Sequence, residues 1–200
     1  MSTVPHSSLR FPQQGSWSEE DYLRRTDGNN ERLEFTDGQL EFLPMASETH
    51  QVLNRFLFLA LYQFVVQRKL GEVHFSGLRL RIRPRKIRQP DIIFLQRDHF
   101  HARHDRVWDG ADLVMEVVSD DVKDRQRDYE TKVQDYAEAK VPEYWIIDPD
   151  QRVVIVHALR EAAYVVHGRF PVGEPATSAL LPEFQIDVAE LFATLDDIPE

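Results

Sequence analysis

Two apolar runs in this chain each carry a carboxylate where a buried strand has little room for one. Asp91 opens Ile92-Ile93-Phe94-Leu95, and Glu116 interrupts the run from Leu113 to Val118. Short runs of this kind read as strands covered on both faces, which demands a sheet with layers above and below it. A charge in such a strand is costly unless it is paired or binds a metal. Two carboxylates on adjacent strands of one sheet could hold Mg²⁺ or Mn²⁺ between them through oxygen ligands.

The rest of the chain supplies the covering layers. Ser18-Glu19-Glu20-Asp21 is a capping box with Asp in the closing position, and it starts a short helix ending near Arg25. Arg32 to Phe35 and Leu40 to Leu43 flank Asp37-Gly38, the signature of a hairpin. Ser47 or Thr49 caps a long helix to about Lys69, with Leu53, Phe56, Leu57, Ala60, Leu61, Phe64 and Val65 at helical spacing. Val52, Phe58, Leu59 and Val66 lie off that stripe. The helix therefore has more apolar surface than one core face uses, and it is expected at the centre of the domain or at a homodimer interface. Glu72 to Arg83 reads as one half-buried strand, with Leu78, Leu80 and Ile82 inward and Arg79, Arg81 and Arg83 outward.

A His- and Asp-rich loop from Arg97 to Gly110 joins the two carboxylate strands. Asp120 or Asp121 caps a helix from Val122 to Lys140, and Pro142 ends it. Strands follow at Glu143 to Asp148, Arg152 to Ala158 and Ala163 to His167. Leu181 to Ile186 then leads to a short terminal helix. Strands mixed with helices predict an α/β protein, a three-layer α/β/α sandwich around a mixed β-sheet.

Length and composition narrow the function classes. The 200 residues fit a single domain, with 1–15 as a flexible N-terminal segment. The absence of cysteine excludes disulfides and thiolate zinc sites. The first residues are polar, with no apolar signal core, and the run from Phe56 to Val66 is too short to cross a bilayer. A cytoplasmic protein is expected. The net charge of −10 argues against a large nucleic-acid surface, but charge is local. No acidic residue stands between Glu72 and Asp91, whereas Arg79, Arg81, Arg83, Arg85, Lys86 and Arg88 crowd together there. Arg79, Arg81 and Arg83 are expected to be DNA-binding, facing the phosphate backbone; the alternative is a basic edge that discourages strand pairing.

The pattern Gln89-Pro90-Asp91, a gap, then Glu116 resembles the metal site of the PD-(D/E)xK nuclease superfamily. In that pattern a lysine stands two residues after the glutamate, where this chain has Val118. The stretch Asp128 to Pro149 carries a more specific likeness. It resembles the Uma family of restriction-endonuclease-like proteins, whose pattern is D-x3-K-x3-Y-A-x-A-G-V-P-E-Y-W-I-V-D-P. That family moves the lysine to the helix, which here gives Lys132. Glu34 with Asp37-Gly38, Ser47 with His50, and Leu181-Pro182-Glu183-Phe184 resemble its other motifs. Lys140 and Glu183 stand where the family has glycine, and Asp120-Asp121 replace its Pro-Ser.

The resemblance implies a restriction-endonuclease-like fold and a metal-dependent endonuclease acting on DNA. It implies Glu34, Asp91, Glu116 and Lys132 as catalytic residues, Asp91 and Glu116 as ligands of Mg²⁺ or Mn²⁺, and Lys123 as the second candidate for the lysine. Lys132 has a plainer reading as the solvent-facing partner of Asp128, four residues earlier. His99, His101 and His104, with Asp98 and Asp105, read as a solvated loop rather than a metal cluster. Two other functions fit the residues: a catalytically weak or inactive nuclease fold that binds DNA or regulates, and a metal-dependent hydrolase of small phosphoesters. The second leaves the arginine stripe without a role.

Overall fold

The structure, a computed structural model, describes residues 12–27, 31–75, 77–119, 125–196 and 198. In chain order the elements are α1 (Glu19–Arg25), β1 (Leu33–Thr36), β2 (Gln39–Phe42), α2 (Glu48–Arg68), β3 (Gly71–Phe75), β4 (Leu80–Arg83), β5 (Lys86–Arg88), β6 (Ile92–Gln96) and β7 (Leu113–Val117). They continue with α3 (Lys132–Glu138), β8 (Glu143–Asp148), β9 (Val153–Arg160), β10 (Ala163–Pro171), β11 (Pro175–Thr177), β12 (Gln185–Asp187) and α4 (Val188–Ala193).

The main sheet has six strands in the order β10-β9-β8-β7-β6-β3. The β7–β8 pair is parallel and its flanking pairs are antiparallel, so the sheet is mixed. A parallel pair needs a long crossover, and α3 lies in it. One face packs Ile92, Met115 and Trp145 against Leu53, Leu57, Leu61 and Val65 of α2 and Phe192 of α4. The other packs Ile93, Val114 and Ile146 against Tyr136 of α3 and Leu80 of β4. Helices thus cover both faces, as the alternation of elements predicts.

A second sheet, β2-β1-β5-β4, is additional to that prediction. The expected single strand over Glu72 to Arg83 is two strands, one in each sheet. Gly77, with φ of +92°, lies between them, and a local alternation pattern cannot report such a break. The small sheet has its own core of Tyr22, Leu33, Phe35 and Ile87. Its β5 runs directly into Asp91, so this sheet sets how the chain enters the main one. The β1–β2 turn has φ of 48° at Asp37 and 92° at Gly38. A Cβ at Gly38 would stand 2.5 Å from the Gly15 carbonyl oxygen, so both conformation and space require glycine there.

Ser47 caps α2, its hydroxyl accepting from the His50 N–H at 3.2 Å. Leu59, Tyr62 and Val66 on the outer side of α2 are exposed, as is Phe75. No helix among the described residues is long and apolar enough to cross a membrane. The caps expected at Asp120 or Asp121, and Lys123, lie outside the described residues. Helix is described from Arg125, and Arg127–Thr131 forms a π-helical turn before α3. Such turns are rare and concentrate at functional sites.

Both positions where the chain lacks the family's glycine are left-handed: φ is 57° at Lys140 and 69° at Glu183. At Lys140 the turn closes α3, with Val141 N–H donating to the Tyr136 carbonyl at 2.9 Å. Lys140→Gly is expected to stabilise the protein by about 1 kcal/mol, raising Tm by roughly 2–4 °C in a thermal melt.

Candidate active site

β6 and β7 pair antiparallel, with Ile92 opposite Met115 and Ile93 opposite Val114. Extending that register by one residue sets Asp91 beside Glu116, on the sheet face shared with Ile93, Val114 and Val118. Both carboxylates are buried, and both line one narrow cleft of about 20 Å³. The arrangement expected from the two apolar runs is present: two buried acids, adjacent strands, one face.

Lys132 enters the same cleft from the first turn of α3. Its Nζ is 3.0 Å from Glu116 Oε2 and 2.9 Å from Asp128 Oδ1. The i,i+4 pair with Asp128 therefore exists, but it is buried, with Lys132 only 4% exposed. This corrects the reading of a solvent-facing ion pair. The π-helical turn lies between Asp128 and Lys132, at the point where the helix meets β7. Lys132 stands beside Glu116 on the strand face that Val118 shares, the side where the superfamily pattern has its lysine.

The remaining oxygens are also held. Asp91 Oδ2 accepts from the Val117 N–H at 3.0 Å and lies 3.0 Å from His50 Nε2. Asp91 Oδ1 accepts from Arg32 at 3.3 Å. Glu116 Oε1 accepts from the Tyr136 hydroxyl. Burial alone would raise Asp91, but the His50 hydrogen bond, the charge of Lys132 and the Val117 N–H hold it below the usual carboxylate range. Burial pushes Glu116 up to about 8, and the charges of Asp91 and Asp128 add to this while Lys132 opposes it. Asp128 is raised by burial too, against the pull of Lys132. Burial works against the Lys132 ammonium, yet Glu116 and Asp128 hold its pKa above the ordinary lysine value.

Three buried carboxylates, Asp91, Glu116 and Asp128, thus face one buried ammonium. Burial is the main reason that Glu116 and Asp128 hold protons more tightly, and Arg32 and Arg127 line the cleft beside Lys132. A hard divalent cation fits such an oxygen donor set. No group of three or more His, Asp or Glu side chains suited to a metal occurs among the described residues. Asp91 and Glu116 are the two acids that could hold such an ion, with water completing the shell, as is usual for Mg²⁺.

Other expected site residues do not line the cleft. Glu34 is fully buried but is not among the residues lining the cleft. It accepts from the Gln89 N–H at 3.2 Å and lies 3.5 Å from Arg88, which pairs with Asp135 at 2.7 Å. Glu34 thus belongs to a buried charge network with Arg88 and Asp135, and its charge also reaches Lys132. The arginine stripe is paired rather than free. Arg79 donates to the Thr26 and Arg106 carbonyls, Arg81 pairs with Glu19 and Asp109, and Arg83 with Asp37 and Glu138. The His-rich segment forms a 3-10 turn over Arg97–Ala102, with His99 bonded to Asp112 and His104 to Asp109.

Asp128, Tyr136, Arg32 and the pair His50–Asn54 take part in the site although the sequence reading gave them no firm role there. One signal was available. Asp128, Lys132 and Tyr136 recur every four residues, a polar stripe on one helix face, and that face turns inward.

A family model described as "Uma2: Putative restriction endonuclease" matches residues 19–189. A search of curated proteins finds no match. Among solved structures the fold is similar to one described as a putative nuclease belonging to DUF820 from Anabaena variabilis ATCC 29413, with a TM-score of 0.69 and 16% identity. That likeness covers 90% of this chain and 99% of the other. The type IIG restriction endonuclease BpuSI matches at a TM-score of 0.38 and 16% identity, over 77% of this chain and 17% of that one, too low a score to carry weight. Because the family model spans the hairpin, both carboxylate strands and the lysine helix, the chain belongs to the Uma2 family.

Proposed function

We propose that this chain is a metal-dependent endonuclease that hydrolyses DNA phosphodiester bonds in the cytoplasm. The observation that carries the reading is the convergence of Asp91, Glu116 and Lys132, all buried, on one cleft. Asp91 and Glu116 would hold Mg²⁺ or Mn²⁺, which when bound activates water and stabilises the charge that develops on the phosphate. Lys132 acts as a fixed cation rather than a base, because its carboxylate neighbours keep it protonated. Arg32, at the mouth of the cleft, is placed to meet a phosphate oxygen. Plasmid nicking with Mg²⁺ or Mn²⁺, against a chelator control, tests the reading. DNA retention without cleavage in either metal would instead favour a binding or regulatory module, a reading supported by the narrowness of the cleft.

Cutting both strands of a duplex calls for two sites, most simply related by a two-fold axis. We place a second copy of the chain on the outer side of α2, where Leu59, Tyr62 and Val66 are exposed. Sedimentation at micromolar concentration is expected to give the mass of two chains, and Leu59→Glu with Val66→Glu to give one. A wild-type monomer would remove the dimer from the proposal.

Arg79, Arg81 and Arg83 are secondary DNA contacts in this reading, because phosphates must displace the carbonyl partners of Arg79 and the carboxylate partners of Arg81 and Arg83. Replacing Arg79, Arg81 and Arg83 together with alanine is expected to lower the salt dependence of DNA binding by about one phosphate contact, where three free arginines would give about three. A drop of three would mean that the ion pairs exchange freely for phosphate.

A further inference from the structure

His50 has its two ring nitrogens in different company. Nε2 is 3.0 Å from Asp91 Oδ2, and Nδ1 is 3.0 Å from Asn54 Nδ2, one helical turn further along α2. The side chain is 10% exposed, so these two partners account for its polar edge. An ionised carboxylate can only accept, so the proton belongs on Nε2. Nδ1 then accepts from the Asn54 amide. Ser47, capping the helix on the His50 N–H, fixes where the first turn of α2 begins.

This matters for Asp91. Oδ2 already receives the Val117 N–H, and the His50 N–H fills its second lone pair. Oδ1 receives only Arg32, at a longer 3.3 Å. The carboxylate plane is therefore set from one side, and Oδ1 is the oxygen with capacity left.

We propose that His50, itself oriented by Asn54, is a positioning residue that pins Asp91 through Oδ2 and presents Oδ1 to the cation. The inference rests on the metal reading above and deepens it. A histidine in this arrangement acts on metal affinity through the ligand it holds, and loss of such partners typically weakens binding 10–100-fold.

The test uses Mn²⁺ binding to the DNA-free protein by electron paramagnetic resonance, together with ¹⁵N NMR of the imidazole. His50→Ala is expected to weaken Mn²⁺ binding by about 10–100-fold. His50→Gln, whose amide nitrogen reaches the place of Nε2, is expected to restore most of it, which a purely structural role would not predict for two variants of similar melting temperature. Asn54→Leu is expected to fall between them. His99→Ala, which removes an exposed histidine bonded to Asp112, is expected to bind as the wild type does. NMR is expected to find a proton on His50 Nε2. Wild-type binding in His50→Ala, equal loss in the Ala and Gln variants, or a neutral ring protonated on Nδ1 would each overturn the proposal. A wild-type protein that binds no Mn²⁺ would overturn the metal reading itself, and the proposed presentation of Oδ1 with it, while NMR would still report on the His50–Asp91 contact separately.

Discussion

Lys132→Ala is expected to lose both cleavage and stability. From the sequence, with Lys132 reaching into the site from its helix, the expectation for this variant is lost cleavage with metal binding and folding intact. Burial changes that. Removing the ammonium leaves Glu116 and Asp128 as buried carboxylates without their cation. Breaking a buried pair from one side typically costs about 3–5 kcal/mol. For a chain of this size that is roughly 6–20 °C in Tm. The deficit should shrink when Mn²⁺ is added, because a bound cation supplies part of the missing charge and binds only the folded state. Thermal melts with and without Mn²⁺ check both parts. A variant that melts with the wild type would mean that Lys132 leaves the cleft in solution. A variant that is equally destabilised at every Mn²⁺ concentration would mean that the cation does not reach these carboxylates. Lys132→Arg keeps the charge but not the compact head, and it is expected to recover more stability than activity.

The same residue marks where the sequence was legible and where it was not. The apolar runs around Asp91 and Glu116 located both strands, and the anomaly of a charge in each located the cleft. Ser47, the Asp37-Gly38 turn and the run Glu143 to Asp148 gave their elements nearly residue by residue, because caps, turns and strand runs are local signals. Two things were not local. The small sheet pairs β1 with β5 across more than fifty residues of chain, with Phe35 opposite Ile87, and no periodicity reports a partner at that distance. The arginines of β4 alternate as a free basic face would, yet their neutralising acids come from α1, the β1–β2 turn and α3. A strand's pattern shows which way its side chains point, not what stands opposite. Burial of Lys132 was hidden for the same reason: the stripe Asp128, Lys132 and Tyr136 looks like a wet helix face until the fold turns it toward β7.

Asp91→Asn is expected to abolish metal-dependent cleavage while leaving the fold in place. The amide matches the carboxylate in size, and its oxygen can still accept from the Val117 N–H, so the end of β6 keeps its attachment to β7. What it loses is the charge, and with it one of the two carboxylates that the chain offers to a divalent cation. A metal's charge stabilisation in a hydrolytic transition state is worth several kcal/mol. At about 1.4 kcal/mol per tenfold in rate, that is a loss of roughly a thousandfold or more. Plasmid nicking at saturating Mg²⁺ reads the rate, and Mn²⁺ binding to the DNA-free variant reads the site without relying on turnover. The wild type should bind Mn²⁺ and nick; the variant should do neither, with a Tm within a few degrees of the wild type. The pairing of the two readouts separates the candidate functions. Wild-type binding without nicking, lost in Asp91→Asn, would point to an intact metal site in a protein that does not cut DNA. Nicking that survives Asp91→Asn would place the chemistry outside this cleft altogether.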